Sequence, residues 1–579
     1  MKKQQTEKGE LSLIDKILLG RGYKTKAQKQ AFLHPDYDKT DYDPMLLPSM
    51  KQAVDRLIQA IEQGQKITIY NDYDVDGTTA AAVLLDALPK FGAKFDYYVP
   101  DRFSEGYVLN KSVISKIKKA GTDLLLTVDN GIVSFDEVDY ANSIGLDIII
   151  TDHHTPRSTE PSAIGVVNPK LLIRDHAESY DHLFCLKKKN QTLYPFGDLC
   201  GCGVAFKLVQ ALMQRLPDCI PKGQEKWLLD LVALATVSDM VGLVDENRAK
   251  VYWGLKVLAK TRRPGMKALA AVADIDLNNI DTRKIGFVLG PRINAAGRLA
   301  NARLAVDLLS TDDNQKALKL ATELNELNSK RKKLQNDIYE SAITQVANDN
   351  PVAIVAGENW HEGVVGIVAS RIVERVQRPA FVFSISPDGK TLKASGRSFG
   401  DFSIVKAIQA TNDLLIKGGG HAGAGGVTIA NDNFPKWQKA INEYYLSLNL
   451  QNQLDYLLPN PDVTVNQLNQ LTVKMVQKLA ELEPYGVANP EPTFLLKNVG
   501  IASRQTMGDK GQHVRYSFVD SEGDKLTAVA FGGADRFSVM PSMTSPSMVK
   551  VDALVHLYID NWNGTRGVQG KLLALFPSC

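Results

Sequence analysis

The chain has 579 residues, and because single hydrophobic cores rarely exceed roughly 250–300 residues, several domains are expected. Its composition, 44% hydrophobic and 23% charged, is that of a folded globular protein, and the net charge of only +3 excludes a strongly basic nucleic-acid-binding tail. The polar N-terminus shows no secretory signal, and no apolar run approaches the roughly 18 residues of a membrane helix. We therefore expect a cytoplasmic protein.

The order of predicted elements indicates an α/β protein followed by a β-barrel. Strands alternate with amphipathic helices from Lys51 to about Leu243, which predicts a mostly parallel sheet with helices on both faces. Leucines at helical spacing, including Leu320 and Leu324, predict one long connector helix. A second α/β unit follows, and short alternating strands near the end predict a small barrel of the OB type. The polar segment Arg174–Asp198 is interpreted as a surface insertion.

The first motif with a chemical implication is N-D-Y-D-V-D-G at Asn71–Gly77, between an apolar strand and a helix of small residues. Three carboxylates at alternate positions repel one another at neutral pH, and a hard divalent metal ion compensates this repulsion best. One alternative is an ordinary turn in which Asp76 caps the helix. A second alternative, a calcium loop, fails because Val83 stands where the bidentate Glu belongs.

The same strand-to-turn arrangement occurs twice more along the chain. Leu124–Gly131 (LLLTVDNG) and Ile148–His154 (IIITDHH) are apolar runs that end in acidic or acidic-histidine turns. In an open α/β sheet, the loops at the carboxyl ends of the strands converge on one crevice. We therefore predict one metal site formed by the side chains of these turns: Asp72, Asp74, Asp76, Asp129, Asp152, His153 and His154.

A later carboxylate and the cysteines offer two further candidates. The apolar stretch Trp227–Leu243 looks like a resumption of the sheet pattern and places Asp239 after a hydrophobic face, where it would be a fourth carboxylate of the site. A lone Asp in this position is otherwise a helix cap or a turn residue. The five cysteines (Cys185, Cys200, Cys202, Cys219 and Cys579) show neither a disulfide framework nor the usual zinc spacing, so we expect buried thiols.

Two segments are candidates for phosphate binding. In Gly290–Leu299 (GPRINAAGRL), two arginines and an asparagine lie among small residues that allow close backbone approach to a phosphate. The glycine-rich Gly418–Gly426 could hold an anion through its amides, with His421 as a donor. The alternatives are surface arginines near a helix start and a tight β-turn. A P-loop is excluded because Ser384 stands where the first glycine of that motif belongs.

Together these motifs resemble the DHH phosphoesterase superfamily, and within it a family of bacterial exonucleases that act on single strands. The resemblance spans nearly the whole chain, and Val108 and Gly242 depart from the family pattern without removing a candidate ligand. It rests on an ordered set of motifs: LLGRGYKTKAQKQAFL, NDYDVDG, VPDRFSEGY, TVDNGI, TDHH, GVAF, LLDLVALATVSDMVGL, GPRINAAGRL, WHEGVVGIVASRI, SGRS and GGHA.

The resemblance implies a division of the chain and a set of roles. The implied segments are an N-terminal helical segment at 1–50, a parallel-sheet DHH domain at 51–305, a connector helix at 306–348, a second α/β (DHHA1) domain at 349–450 and an OB-like β-barrel at 451–579. The implied metal ligands are Asp74, Asp76, Asp129, His153 and Asp239, with Asp72, Asp129 and His154 as catalytic residues. The implied substrate contacts are Arg292, Asn294, Arg298, Ser395, Arg397 and His421.

The implied function is two-metal-dependent hydrolysis of single-stranded DNA from the 5′ end to 5′-mononucleotides, in DNA repair and recombination. Two Mn²⁺ or Mg²⁺ ions would clamp a phosphate and stabilise the leaving oxygen, and histidine ligands favour Mn²⁺. We expect a monomer whose partners are single-stranded DNA, a single-strand-binding protein and a helicase. Two other functions stay open on this fold: a phosphodiesterase of short oligonucleotides or small nucleotides, and a catalytically inactive DNA-binding scaffold.

Overall fold

The computed structural model describes residues 12–102, 105–106, 108–171, 193–347, 349–450, 459–533, 550–560 and 566–578. Most of the predicted insertion Arg174–Asp198, with Cys185, lies outside the described residues, as does Cys579. The chain forms two compact units. One comprises residues 41–453, and the other comprises residues 1–40 together with 454–579. Among the described residues, no helix is both long and apolar enough to cross a membrane.

The first sheet of the larger unit is parallel and five-stranded, in the order β2-β1-β3-β4-β5. Its strands are β1 Lys66–Asn71, β2 Lys94–Tyr98, β3 Leu124–Val128, β4 Asp147–Thr151 and β5 Gly165–Val167. Side chains of β3 and β4 are buried on both faces, as in a sheet covered by helices on each side. On one face, Leu125 and Ile150 pack against Val113 and Val138 of two covering helices.

Helices make up the rest of this first half of the unit. Before and between the strands lie Met50–Glu62, Val75–Ala87, Lys111–Lys119 and Phe135–Ser143. After the sheet come Gly201–Arg215, Leu229–Ser238, Asp245–Leu258, Pro264–Val272, Thr282–Lys284, a π-helical turn at Ile285–Leu289, Gly290–Leu299 and Arg303–Ser310.

The interpretation of Trp227–Leu243 as part of the sheet is wrong, because this stretch contains the helix Leu229–Ser238. Every residue from Leu229 to Thr236 is buried. A helix that is buried on all sides reads as a continuous apolar run, so its sequence has no helical periodicity to distinguish it from a buried strand.

The long helix predicted from the leucine spacing is confirmed and spans Asn314–Ile343. It precedes a five-stranded sheet in the order β6-β7-β8-β10-β9, in which only β6 and β7 are parallel. The strands are β6 Ala353–Glu358, β7 Ala380–Ile385, β8 Thr391–Arg397, β9 Lys417–Gly420 and β10 Ala424–Ala430. The accompanying helices are Glu362–Val376, Ile404–Ala410 and Phe434–Ser447.

The smaller unit is built on a closed five-stranded barrel, as predicted. The strands β12 Phe494–Met507, β13 His513–Val519, β14 Lys525–Ala530, β16 Gly567–Pro577 and β15 Lys550–Asp560 pair in this order, and β15 returns to pair with β12. A short strand, β11 Val463–Val465, adds to β12, and the unit's helices are Leu13–Gly20, Lys26–Leu33, Tyr37–Thr40 and Val473–Leu479. The N-terminal helices bury Ile17, Leu18 and Phe32 in the barrel's core.

Candidate active site

The acidic turns predicted from the sequence lie at one edge of the parallel sheet. In the register of the strands, Asn71 is opposite Val128, and Val128 is opposite Thr151. These residues end β1, β3 and β4, so the three strands finish at the same level. The residues that follow them are the start of the NDYDVDG turn, Asp129 and the Asp-His-His segment. Alignment of the strand ends thus brings the three motifs together, as the sequence predicts.

The first acidic turn leads into the helix Val75–Ala87, whose N-cap is Asp74 and not Asp76. Asp74 accepts a hydrogen bond from the amide of Gly77 at 3.0 Å, in the usual N-cap manner. Asp76 lies in the first helical turn and is 1% exposed. Its two carboxylate oxygens accept hydrogen bonds from the amides of Gly201 and Cys202, at 2.6 and 2.8 Å. The start of a second helix therefore fixes the orientation of Asp76.

Asp129 occupies a strained position directly after β3. Its φ of 57° is in the left-handed region, which residues other than glycine seldom adopt. The backbone is held there because the amide of Asp129 donates to the carbonyl oxygen of Thr151 at 2.9 Å, and the Thr127 hydroxyl donates to the carbonyl oxygen of Asn130 at 2.7 Å. Strain that the surrounding structure maintains is typical of functional sites.

Within the Asp-His-His segment, Asp152 positions its neighbours. It accepts hydrogen bonds from the amides of Ile132, His153 and His154 at 2.7–3.0 Å, and its Oδ1 lies 2.7 Å from Nδ1 of His154. Burial disfavours charge on both groups, but this hydrogen bond lowers the pKa of Asp152 to about 2 and raises that of His154 to about 9. Asp152 therefore orients His154, whereas His153 is buried and its pKa is lowered, chiefly by burial.

Asp239 reaches the same place from the C-terminal cap of the helix Leu229–Ser238. Its Oδ2 is 3.6 Å from Nε2 of His153, and the same nitrogen lies 3.2 Å from Asp129 Oδ1 and 3.5 Å from Asp76 Oδ2. Asp129 Oδ1 and His153 Nε2 are buried without a hydrogen-bond partner among the described residues. Carboxylate oxygens and an imidazole nitrogen that share a small space in this way form a suitable ligand set for a divalent metal ion.

Three groups of side chains have ligand atoms close enough to hold an ion. They are Asp129 with His153 and His154, Asp76 with His153 and Asp239, and Asp72 with Asp74 and Asp129. The ligand atoms of each group lie within 4.8 Å of one another. Asp129 and His153 each belong to two groups, an arrangement that suits two neighbouring ions. The seven predicted residues Asp72, Asp74, Asp76, Asp129, His153, His154 and Asp239 thus lie in one cluster, whereas Asp152, also predicted from the acidic turns, belongs to none of the three groups and instead positions His154.

The electrostatics of this cluster also fit a metal ion. Burial, followed by the charge of Asp74, raises the pKa of Asp72 to about 8 and that of Asp76 to about 7. The pKa values of Asp129 and Asp239 are also raised well above the usual range by burial and by neighbouring carboxylates. A divalent cation would remove this penalty on the ionised forms.

These shifts predict how pH acts on the stability of the metal-free protein. A carboxyl group whose pKa is higher in the folded than in the unfolded state stabilises the fold fully below the unfolded value of 3.8, and this contribution is lost as pH rises through about 7 to 8. In EDTA, ionisation of these carboxyl groups should therefore lower Tm by an amount that grows between pH 5 and pH 8.5. In saturating Mn²⁺ this lowering of Tm should disappear, because metal binding favours the ionised ligands. Equal changes of Tm with pH in the two conditions would contradict this prediction.

A group of arginines lies on the same unit as the acidic cluster. The pKa of Arg298 is lowered to about 10, first by burial and then by the charges of Arg102, Arg331 and Arg397. Arg102 also lies over the ring of Tyr73, which is part of the first acidic turn, at 4.8 Å from the ring centroid. Buried like charges in such proximity repel one another, and an anion such as a phosphate would relieve that repulsion.

Three predicted substrate contacts come from the second sheet, and one of them, Arg397, belongs to this arginine group. Arg397 donates to the hydroxyl of Ser395 at 2.7 Å, and both residues are on β8. His421 is in the turn between β9 and β10, and its pKa is lowered by burial, then by the charges of Arg397 and His154. The structure therefore brings Ser395, Arg397 and His421 together, close enough to the acidic cluster for the charge of His154 to lower the pKa of His421.

The three phosphate contacts predicted on the helix Gly290–Leu299 lie in different surroundings. Arg298 belongs to the arginine group and donates to the carbonyl oxygen of Gly363 at 3.1 Å. Asn294 instead accepts from the amide of Val75 at 3.1 Å, which ties the helix to the first acidic turn. Arg292 donates to Asn325 at 3.0 Å and to the carbonyl oxygen of Val288, so these contacts attach it to the long helix and not to the arginine group.

Two arginines of the site were not predicted from the sequence, and one cysteine was wrongly predicted to be buried. Arg102 lies in the VPDRFSEGY motif and Arg331 in the long helix, but neither was given a role from the sequence. The expectation of buried thiols holds for Cys200 and Cys202, whereas Cys219 is exposed. Cys219 follows the end of the helix Gly201–Arg215, in a turn where it is exposed.

Comparison with known protein families gives three matches in chain order. The family described as DHH family, N-terminal domain, matches residues 66–236. The DHHA1 domain matches residues 349–446, and the RecJ OB domain matches residues 462–573. The parallel sheet with its acidic-histidine cluster, the second sheet and the barrel thus define the class of DHH-family proteins that have DHHA1 and OB domains.

Curated relatives narrow this class further. The chain is 35% identical over 561 residues to the single-stranded-DNA-specific exonuclease RecJ of Bacillus subtilis, covering 96% of this chain and 67% of that protein. It is 37% identical over 473 residues to the protein of the same name from Escherichia coli, covering 77% and 78% of the two chains. The chain belongs to the RecJ family.

Solved structures agree with this assignment. The crystal structure of RecJ from Thermus thermophilus in complex with Mn²⁺ superposes with a TM-score of 0.77 at 28% identity, covering 97% of this chain and 75% of that chain. A second exonuclease RecJ, bound to manganese, gives a TM-score of 0.60 at 31% identity and covers 72% of this chain and 98% of its own.

Proposed function

We propose that this protein is a metal-dependent exonuclease that degrades single-stranded DNA from the 5′ end and releases 5′-mononucleotides. The observation that supports the proposal most directly is the largely buried cluster of carboxylates and histidines, with a group of arginines in the same compact unit. The negative cluster is suited to holding metal ions that act on a phosphodiester, and the positive arginines are suited to neutralising the phosphates of the strand.

The chemistry follows from the positions of the side chains. Bound Mn²⁺ or Mg²⁺ supplies Lewis-acid activation of the phosphodiester. The proposed ligands are Asp74, Asp76, Asp129, His153 and Asp239, with Asp72 completing the cluster. His154 is oriented by Asp152, which lies 2.7 Å from its Nδ1 and, against the effect of burial, raises its pKa in the metal-free protein. When the ring is protonated, its other nitrogen, Nε2, can donate a hydrogen bond to a phosphate oxygen.

Strand recognition is assigned to two regions. In the larger unit, Arg298, Arg397, Ser395 and His421 would contact phosphates at the 5′ end, and the arginines would provide forked donors for them. The OB barrel of the smaller unit would add affinity for the strand, as OB domains bind single strands by stacking bases on aromatic side chains. A phosphodiesterase of short oligonucleotides would not need this additional domain.

The cellular setting is part of the same proposal. A single-strand exonuclease needs a partner activity that separates duplex DNA, and its substrate is commonly covered by single-strand-binding protein. We propose a cytoplasmic monomer that acts with both in DNA repair and recombination.

The polarity of degradation is the sharpest test. Oligonucleotides labelled at the 5′ or the 3′ end, single-stranded or as blunt duplexes, would be incubated with the full chain in Mn²⁺. The 5′ label should appear at once in mononucleotides, whereas the 3′ label should move through a ladder of shortening products. Blunt duplexes should be degraded far more slowly, because the site must accept one strand.

Three outcomes would contradict the proposal. Immediate release of the 3′ label would reverse the polarity, and equal degradation of the blunt duplex would remove the single-strand preference. Cleavage confined to oligomers of a few nucleotides would favour the short-oligonucleotide phosphodiesterase.

A further inference from the structure

The start of the helix Gly201–Arg215 contacts two of the proposed metal ligands at once. Its N-cap is Cys200, and the first two amides beyond the cap belong to Gly201 and Cys202. These amides have no partner within the helix, as is general for the first turn. They donate instead to the two carboxylate oxygens of Asp76, at 2.6 and 2.8 Å. The partial positive charge of the helix start favours the ionised carboxylate.

The other side of Gly201 lies against Asp129. A Cβ atom at Gly201 would be 2.6 Å from Cβ, 2.7 Å from Oδ1 and 2.8 Å from Cγ of Asp129. These distances are shorter than any real Cβ contact, so the two residues can be adjacent only because position 201 has no side chain. Asp129 cannot move away easily, because its strained backbone is fixed to the carbonyl oxygen of Thr151.

Backbone conformation gives no other reason for a glycine at position 201. Its φ is not in the left-handed region, and glycine in a helix costs about 1 kcal/mol relative to alanine. Gly203, in the same helical turn, provides a contrast: a Cβ there would meet its nearest neighbours at 3.5–3.7 Å, which is ordinary van der Waals contact.

We infer that Gly201 is a positioning residue for the metal centre, one that fixes Asp76 by its amide and fixes Asp129 by its missing side chain. The two carboxylates belong to different ligand groups, and His153 Nε2 lies between them, 3.5 Å from Asp76 and 3.2 Å from Asp129. Gly201 therefore sets the separation of the ligands that two neighbouring ions would share. This inference rests on the proposed function only through its metal site and not through the substrate or the polarity.

The test compares Gly201→Ala with Gly203→Ala in the full-length, metal-free protein. Both variants make the same chemical change in the same helical turn, so differences in helix propensity cancel. Mn²⁺ binding would be measured by titration calorimetry, and the rise of Tm on adding Mn²⁺ would be measured in parallel. Gly203→Ala should bind Mn²⁺ as the unaltered protein does. Gly201→Ala should bind it about 10–100-fold more weakly, the usual loss when a residue that supports metal ligands is changed.

A double variant keeps the inference testable if Gly201→Ala folds poorly. Replacing Asp129 with glycine removes the atoms that a Cβ at position 201 would meet, and glycine adopts a φ of 57° without strain. In EDTA, Gly201→Ala should lower Tm in the unaltered protein but not in the Asp129→Gly background. Equal losses of Tm in both backgrounds, or Mn²⁺ affinity of Gly201→Ala equal to that of Gly203→Ala, would overturn the inference. Failure of the unaltered protein to bind Mn²⁺ would instead count against the proposed function.

Discussion

Replacing Asp129 with asparagine is expected to lower the rate of single-strand hydrolysis by at least roughly a hundredfold to a thousandfold. Asp129 belongs to two of the three ligand groups, so its loss would disturb both proposed ions. Metal ions contribute several kcal/mol to stabilising the transition state, and each 1.36 kcal/mol corresponds to about a tenfold change in rate. Asparagine is chosen because it has nearly the same volume and tolerates the left-handed backbone of this position.

The measurement is the initial rate on a labelled oligonucleotide in saturating Mn²⁺, together with the affinity for the strand in EDTA. Affinity should change little, because the proposed strand contacts are the arginines and the barrel. The matched control is Asp139→Asn, which makes the same chemical change at an exposed position of the helix Phe135–Ser143 and should leave the rate unchanged. Retention of more than a few per cent of the original rate by Asp129→Asn would refute its role as a shared ligand.

The convergence of the acidic turns could be predicted from the sequence because it depends on strand order alone. Each turn follows an apolar run, parallel strands end at the same edge, and the register of β1, β3 and β4 aligns those ends. The identity of the residue that caps the helix after the first acidic turn was harder to predict from the sequence. Asp74 and Asp76 are both suitable N-cap residues, and only the extended backbone at Asp74 identifies the one that caps the helix.

Predicting the different roles of the two arginines in GPRINAAGRL requires knowing that the segment is a helix. If the segment is treated as a loop around a phosphate, Arg292 and Arg298 can both contact the ligand. In the helix Gly290–Leu299, however, they are six positions apart, which is about 240° around the axis. They consequently project in different directions, Arg292 toward Asn325 and Arg298 toward the carbonyl oxygen of Gly363.

Contacts between segments that are distant in the chain could not be predicted from the sequence. The approach of Gly201 to Asp129 depends on how a helix docks against the sheet, and no local pattern at either residue indicates it. The same holds for Arg102 and Arg331, which lie in separate motifs and are related only by the charge that each exerts on Arg298. The positions of the metal ligands could therefore be inferred from local motifs, whereas the residues that surround those ligands and hold them in place could not.

The helix that presents Gly201 is anchored farther along by a buried network of charges. Lys207 and Lys250 are 0% and 1% exposed, and both pair with Glu246, which is fully buried. Asp41 lies 2.7 Å from Lys207 Nζ and 3.1 Å from Lys250 Nζ, and Tyr194 donates its hydroxyl to Glu246. Two cations and two carboxylates thus balance in the interior. Removing one partner from such a buried network is strongly destabilising, because the charge left behind has no compensation.

Replacing Glu246 with glutamine is therefore expected to destabilise the larger unit by about 3–5 kcal/mol, because it leaves a buried cation without compensation. The double variant Glu246→Gln/Lys207→Met should recover most of this loss, since one positive and one negative charge are then removed together. The midpoint of urea unfolding measures both effects. The control is Glu443→Gln, the same change in an exposed pair with Lys439, which should cost no more than about 0.5 kcal/mol. If Glu246→Gln unfolds at the same urea concentration as Glu443→Gln, or if the double variant is less stable than the single one, the network does not hold this helix in place.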